Sequence, residues 1–191
     1  MNEEQQLIAR AQRGDMDAYT SLVQQYETLA FRAAYWITRD DAEAADAAQE
    51  AFVRAYRALD SFTAGQPFRP WLLRIVTNQA LNHMKASARR ERMNERYTEQ
   101  LKLREEAASP EHAAMEREKH ARLMQAVQRL NADEQTLIAL RYFLELPEAE
   151  VAQALQTPVG TIKSRLHRTL NKLREVIRRD FADLSELVVG G

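Results

Sequence analysis

The stretch from Thr157 to Arg168 constrains this chain more than any other, because its apolar and basic residues separate cleanly only on a helix. From there Ile162, Leu166, Leu170, Leu173 and Ile177 recur at helical spacing and form one apolar stripe. At about 100° per residue, Thr161, Ser164 and Arg168 point away from that stripe, with His167 beside them. Lys163 and Arg165 fall on the flanks, where long side chains reach phosphates. Thr157 is expected as the N-cap and Pro158 as the first helical residue, where a missing N–H costs nothing. Between Pro158 and Arg179 stand seven Lys or Arg against one acid, Glu175. A solvated basic face alone would explain that charge. The segment just upstream favours a more specific reading. Pro147 to Leu155 reads as a short helix with Glu148 and Glu150 in its first turn and Val151, Ala152 and Leu155 on one face. Gln156, Thr157 and Pro158 then separate it from the basic helix. Two short helices joined by such a turn, the second basic and outward-facing, predict a helix-turn-helix.

Composition points the same way. Of 191 residues only five are Gly and five Pro, and no run alternates β-branched with polar residues, so an all-α chain is expected. The absence of Cys excludes a disulfide framework and a thiolate zinc site, and fits a reducing cytoplasm. The first residues, Met-Asn-Glu-Glu-Gln-Gln, lack the basic and apolar regions of a signal peptide, and no apolar run approaches a membrane span. No membrane insertion is therefore expected. Net charge is −1, but Asp40 to Glu50 carries five acids and no base, opposite in sign to the basic helix. Segregation of this kind predicts different partners for different surfaces.

Along the chain, Glu3 to Gln12 reads as a first helix, ended by Gly14. Asp15 caps a second, with Tyr19, Leu22, Val23, Tyr26, Leu29, Ala33 and Ile37 as its stripe. Asp40 with Glu43 predicts a capping box for a third, with Ala48, Phe52, Ala55, Tyr56, Leu59 and Phe62 apolar. After a loop over 63–67, Pro70 is expected to start a fourth helix that runs to about Lys85. The pattern degrades over 86–108, which reads as a charged linker whose start is compatible with helix. Ser109-Pro110-Glu111 marks a new helix start, with Leu123, Met124, Val127 and Leu130 as its core. Asn131 and Glu134 then predict another capping box. The expected organisation is two small helical domains, 1–86 and 109–180, joined by the linker 87–108, with an unassigned tail 181–191.

Two further surfaces carry chemistry. On the fourth helix Arg74, Asn78, Asn82 and Lys85 form one polar stripe with Trp71 and Ile75 at its edge. Cations for phosphates, amides for base edges and an aromatic for stacking suit a nucleic-acid strand. For Trp71 the core reading comes first, because large aromatics are mostly buried. On the third helix Glu43, Asp46 and Glu50 share a face, either simply solvated or a docking surface for a basic helix. The four His residues are scattered. Glu116 and His120 are one turn apart without a third ligand, so neither a metal site nor a cofactor is expected. No phosphate loop or nucleophile elbow is present, so no catalytic residue is expected.

In combination these motifs resemble the bacterial extracytoplasmic-function sigma factors over about residues 5 to 178. Asp46, Gln49, Glu50 and Phe52, followed by Arg54, Tyr56, Arg57 and Leu59, resemble the family's region-two core. Phe68, Trp71, Leu72, Arg74, Ile75 and Asn78 resemble its promoter-melting segment, and Thr157 to Arg168 its region-four recognition helix. The resemblance implies docking of Asp46, Gln49 and Glu50 on the clamp coiled coil of core RNA polymerase, with the flap as a further contact. It implies that Trp71, Arg74, Asn78, Asn82 and Lys85 face the minus-ten element, whose non-template strand carries a flipped-out base. Thr161, Lys163, Ser164, Arg165, His167 and Arg168 would face the minus-thirty-five duplex, and the linker would run toward the RNA exit channel. A cognate anti-sigma factor is a further implied partner. Ala45, where members often carry an acid, and Ala47-Ala48, in place of bulkier aliphatics, depart from the pattern, as does the opening Pro147-Glu148-Ala149. The alternative is a stand-alone helix-turn-helix regulator whose first domain dimerises or senses a ligand.

Overall fold

Eight helices follow one another among the described residues, with no strand: α1 Glu3–Ala11, α2 Met16–Thr38, α3 Asp41–Ala58, α4 Phe68–Asn94, α5 Glu111–Gln128, α6 Ala132–Ile138, α7 Glu148–Ala154 and α8 Val159–Asp180. This computed structural model describes residues 3–63, 65–94, 111–181 and 183–184. A 3₁₀ turn, Leu59–Ser61, ends α3, and a π-type turn, Ala139–Phe143, extends α6.

Local chemistry sets many of the boundaries. Gly14, at φ 88°, makes the turn before Asp15, whose carboxylate accepts from the Ala18 N–H at the start of α2. Asp40 caps α3 by accepting from the Glu43 N–H. Glu43 does not close the expected box, because its carboxylate is taken by His83 and Arg90 from α4. Asn131 and Glu134 do form a complete box at α6.

Three expectations about helix limits are corrected. Pro158, not Thr157, is the N-cap of α8, with extended backbone and no side-chain cap; the Thr157 hydroxyl instead donates to the Leu155 carbonyl across the turn. Gln156 takes up the turn's left-handed position at φ 49°. α4 begins two residues before Pro70, so that proline sits within its first turn, and the helix runs past Lys85 to Asn94. Its extension through the segment read as linker is made of strong helix formers such as Ala86 and Arg89, and is tied back by Arg90. Residues 95–110, including Ser109 and Pro110, lie outside the described residues.

The main core joins α1 to α4. Ala30, Ala33 and Ala34 of α2 and Ala44, Ala47, Ala51 and Ala55 of α3 are fully buried, so these helices pack with short side chains at the contact. Phe62, Phe68 and Trp71 close one end in an aromatic cluster at 5.0–5.6 Å, with Phe62 edge-on to the other two rings. The same core continues without a break into Leu137, Leu140, Leu146, Val151, Ala154, Ile162 and Leu166, from α6 and its π-type extension, the following loop, α7 and α8. A second, smaller core joins α5, the later turns of α8 and the start of the tail. There Phe181 and Leu184 are buried, and Arg122 lies over the Phe181 ring and pairs with Asp183 at 2.7 Å. These tail residues had no sequence signal that set them apart from a frayed end.

Candidate nucleic-acid and polymerase interfaces

The acidic face of α3 is exposed at Asp46, Gln49 and Glu50. Gln49 also lines an apolar groove of about 620 Å³ between α2 and α3, with Met16, Val23, Phe31 and Val53 among its walls. Glu50 is not a free carboxylate. It accepts a 2.6 Å hydrogen bond from the Gln79 amide and faces His83 Nε2 at 3.4 Å. The other imidazole nitrogen, Nδ1, meets Glu43 at 2.8 Å, and Arg90 reaches the same carboxylate at 2.5 Å. Burial pulls the His83 pKa down, but hydrogen bonds to Glu43 and Glu50 outweigh it and hold it above the ordinary histidine value. This α3–α4 tether was not visible in the sequence, because its members lie 29–47 residues apart.

On α4, Asn78, Asn82 and Lys85 are exposed and Arg74 is half-buried, so the polar stripe exists as one surface. Trp71 is half-buried against Phe62 and Phe68, which fits the core reading, yet part of the ring remains at the surface. It shares a cleft of about 310 Å³ with Arg54, Arg74, Asn78 and Gln79. Arg54 and Gln79 are residues that sequence reasoning did not assign to this surface. Arg54 is contributed by α3, one helix away, and Gln79 is buried next to Asn78 on α4.

On α8 the stripe is as expected: Ile162, Leu166, Leu173 and Ile177 are buried and Leu170 packs against the second core. Thr161, Lys163, Ser164, His167 and Arg168 are all exposed. Ser164 Oγ donates to the Thr161 carbonyl at 3.0 Å and Arg168 Nε to the Ser164 carbonyl at 3.3 Å, so the outward face is organised by its own backbone. Lys163 faces Glu148 of α7 at 3.8 Å. Arg165 stands apart. It is half-buried and lines a cavity of about 230 Å³ together with Arg74 and Asn78 of α4.

Three faces, acidic on α3, amide-bearing on α4 and basic on α8, thus occupy two lobes. Comparison with known proteins matches both lobes. The Sigma-70 region 2 family model covers residues 22–90, and the Sigma-70, region 4 model covers residues 120–173. Over 182 residues the chain is 36% identical to the RNA polymerase sigma-H factor of Pseudomonas aeruginosa, spanning 92% of this chain and 94% of that protein. It is 32% identical over 188 residues to the ECF RNA polymerase sigma-E factor of Escherichia coli, spanning 92% and 97%. The chain belongs to the extracytoplasmic-function sigma factors. Its function is accordingly that of an RNA polymerase sigma factor, which directs core polymerase to promoter DNA and starts transcription. A stand-alone regulator is not favoured, since the first lobe is a sigma region rather than an unrelated sensing domain. The fold of this sigma factor is similar to that of CnrH, solved in complex with the cytosolic domain of CnrY, with a TM-score of 0.68 at 23% identity over 94% of this chain and 99% of that one. It is also similar to that of the sigma factor RpoE of Bartonella quintana, solved with the anti-sigma factor NepR, with a TM-score of 0.62 at 21% identity over 85% and 98%.

Proposed function

We propose a division of labour among the three faces of this sigma factor. Asp46, Gln49 and Glu50, with the adjoining apolar groove, dock on the clamp coiled coil of the polymerase largest subunit. Exposed acids beside apolar surface suit an amphipathic basic helix. Arg74, Asn78, Asn82 and Lys85, with Trp71, hold the minus-ten non-template strand. The observation that carries this assignment is the cleft where Arg54, Trp71, Arg74 and Asn78 meet: cations, a ring face and an amide converge on a space where an unstacked base fits. Thr161, Lys163, Ser164, His167 and Arg168 read the minus-thirty-five duplex from the major groove, with Arg165 joining them. Region 4 also meets the polymerase flap. The protein works in the cytoplasm and contributes binding energy and strand positioning rather than a catalytic step. The described residues include no helix long and apolar enough to cross a membrane. One of the structural neighbours above, RpoE of Bartonella quintana, was solved with the anti-sigma factor NepR, which supports an anti-sigma factor as a further partner here.

The test is reconstitution. Core polymerase plus this protein should give run-off transcripts from a template that the holoenzyme selects out of a random pool, and core alone should not. Tight, palindrome-specific duplex binding by the protein alone, with no transcription on adding core, would overturn the proposal.

A further inference from the structure

Gln79 belongs both to the α3–α4 tether and to the cleft that holds Trp71. Its side chain is only 2% exposed, yet it lines the cleft beside Arg54, Arg74 and Asn78. Its amide nitrogen donates to Glu50 Oε2 at 2.6 Å, and the same oxygen faces His83 Nε2 at 3.4 Å. An ionised carboxylate only accepts, so Glu50 decides which end of the amide it meets. The NH₂ end turns toward α3. The other end, Oε1, meets no donor among the described residues and is not sealed from solvent, so it opens on the cleft.

The other polar groups of the cleft complement that oxygen. Arg54 and Arg74 only donate, and neither makes an ion pair or hydrogen bond among the described residues. Asn78 is exposed, so its amide is free to turn either way. Ser61 gives its proton to the Ala58 carbonyl at 2.6 Å. The cleft therefore offers one acceptor of fixed direction next to two cationic donors. The base edge that answers this pattern carries an exocyclic amine beside a ring acceptor, and cytosine and adenine have that edge. Thymine puts a carbonyl where the amine belongs. Two acceptors would then meet, one of them a buried amide oxygen held from behind. Guanine's amine lies beside a ring N–H, which finds only donors in the arginines.

Resting on the assignment of the minus-ten strand to this cleft, we propose that Gln79 sets which base the cleft accepts: an unstacked cytosine or adenine, read through its exocyclic amine. Glu50 and His83 are positioning residues that act through Gln79, holding the amide in the sense that presents Oε1. Glu50 thereby serves base selection from the α3 side as well as polymerase docking.

The test uses holoenzyme made from core polymerase and the full chain, on a template selected by run-off from a random pool. The minus-ten stretch is left unpaired, which keeps base pairing out of the comparison. Single replacements on its non-template strand put uracil for cytosine or hypoxanthine for adenine, each exchanging one amine for a carbonyl. The readout is the relative affinity of one holoenzyme for the amine and carbonyl templates, by competition. A general loss of docking or stability cancels in that ratio. In the wild type, replacement at one position should weaken binding about tenfold. Gln79→Met keeps the size and removes the acceptor, and should bring the ratio at that position within about twofold of one. Glu50→Gln leaves Gln79 in place but frees its amide to turn, and should lower the ratio at the same position. A wild type indifferent to every replacement, or a ratio that Gln79→Met leaves unchanged, overturns the role of Gln79. A ratio that Glu50→Gln leaves unchanged overturns positioning through Glu50. Arg54→Ala should weaken binding of every template. If it weakens none, the strand does not enter the cleft, and the minus-ten assignment falls instead.

Discussion

Region 2 and the α8 face of region 4 present functional residues in opposite ways. On α8 the outward side chains are exposed, and Ser164 and Arg168 bond to their own helix. On α3 and α4 the polar faces are backed by a network in which Glu50, Gln79, His83, Glu43 and Arg90 link the helix proposed to dock on polymerase to the helix proposed to face the strand. A rigid basic helix suits duplex DNA, whose groove is already formed. On the proposed assignment α4 holds a displaced strand, a task that needs its register fixed from behind, and the α3–α4 tether fixes it. The difference also separates periodicity, which places a face, from the long-range bonds that prepare it.

The largest expected effect separates the two cores. Phe68→Ala, at the centre of the aromatic cluster, should cost about 3–5 kcal/mol in urea unfolding. Leu173→Ala, in the smaller second core, should cost nearer 2 kcal/mol, at the low end for such a truncation. Equal losses would break the picture of a dominant region-2 core. Next come the reading faces. Arg168→Ala should weaken upstream duplex binding, and Asn78→Ala should impair open-complex formation while sparing duplex binding, each by about 1–3 kcal/mol. If both variants fail at the same step in footprinting, the two faces do not divide the work.

A smaller effect tests local against long-range design. Asn131→Ala removes a capping box made within four residues and should lower stability by about 1 kcal/mol, measured by thermal unfolding. The smallest concerns the tether. The folded His83 pKa lies above its unfolded value, so its charged pairing stabilises the fold fully below about pH 6.5 and is lost as pH rises through the folded value. The stability difference between wild type and His83→Gln should therefore shrink from pH 5.5 to pH 8, by less than about 1 kcal/mol for a partly exposed pair. A difference that grows with pH would show that the imidazole is held neutral.

Much of this was legible in the sequence because it is local. The stripe Ile162, Leu166, Leu173 and Ile177 follows from helical geometry alone, and so does the exposure of Thr161, Ser164 and Arg168. The Asp15 and Asn131 caps need only the residues of one turn. The start of α8 was misplaced because the Thr157 hydroxyl had two local options, and the geometry of the turn favoured the Leu155 carbonyl over a cap. The Asp40 box failed for a long-range reason, since His83 and Arg90 compete for Glu43.

By itself, the sequence determined an all-helical chain, the identity of its basic, acidic and amide-bearing faces, and the sigma-like order in which they occur, since each depends on spacing within a single helix. Only the tertiary structure decided that Glu50 is engaged by Gln79, that Arg54 joins Trp71 in one cleft, and that Arg165 meets Asn78 across a lobe contact. Those pairings depend on how helices cross, and crossing is set by burial of side chains far apart in the chain.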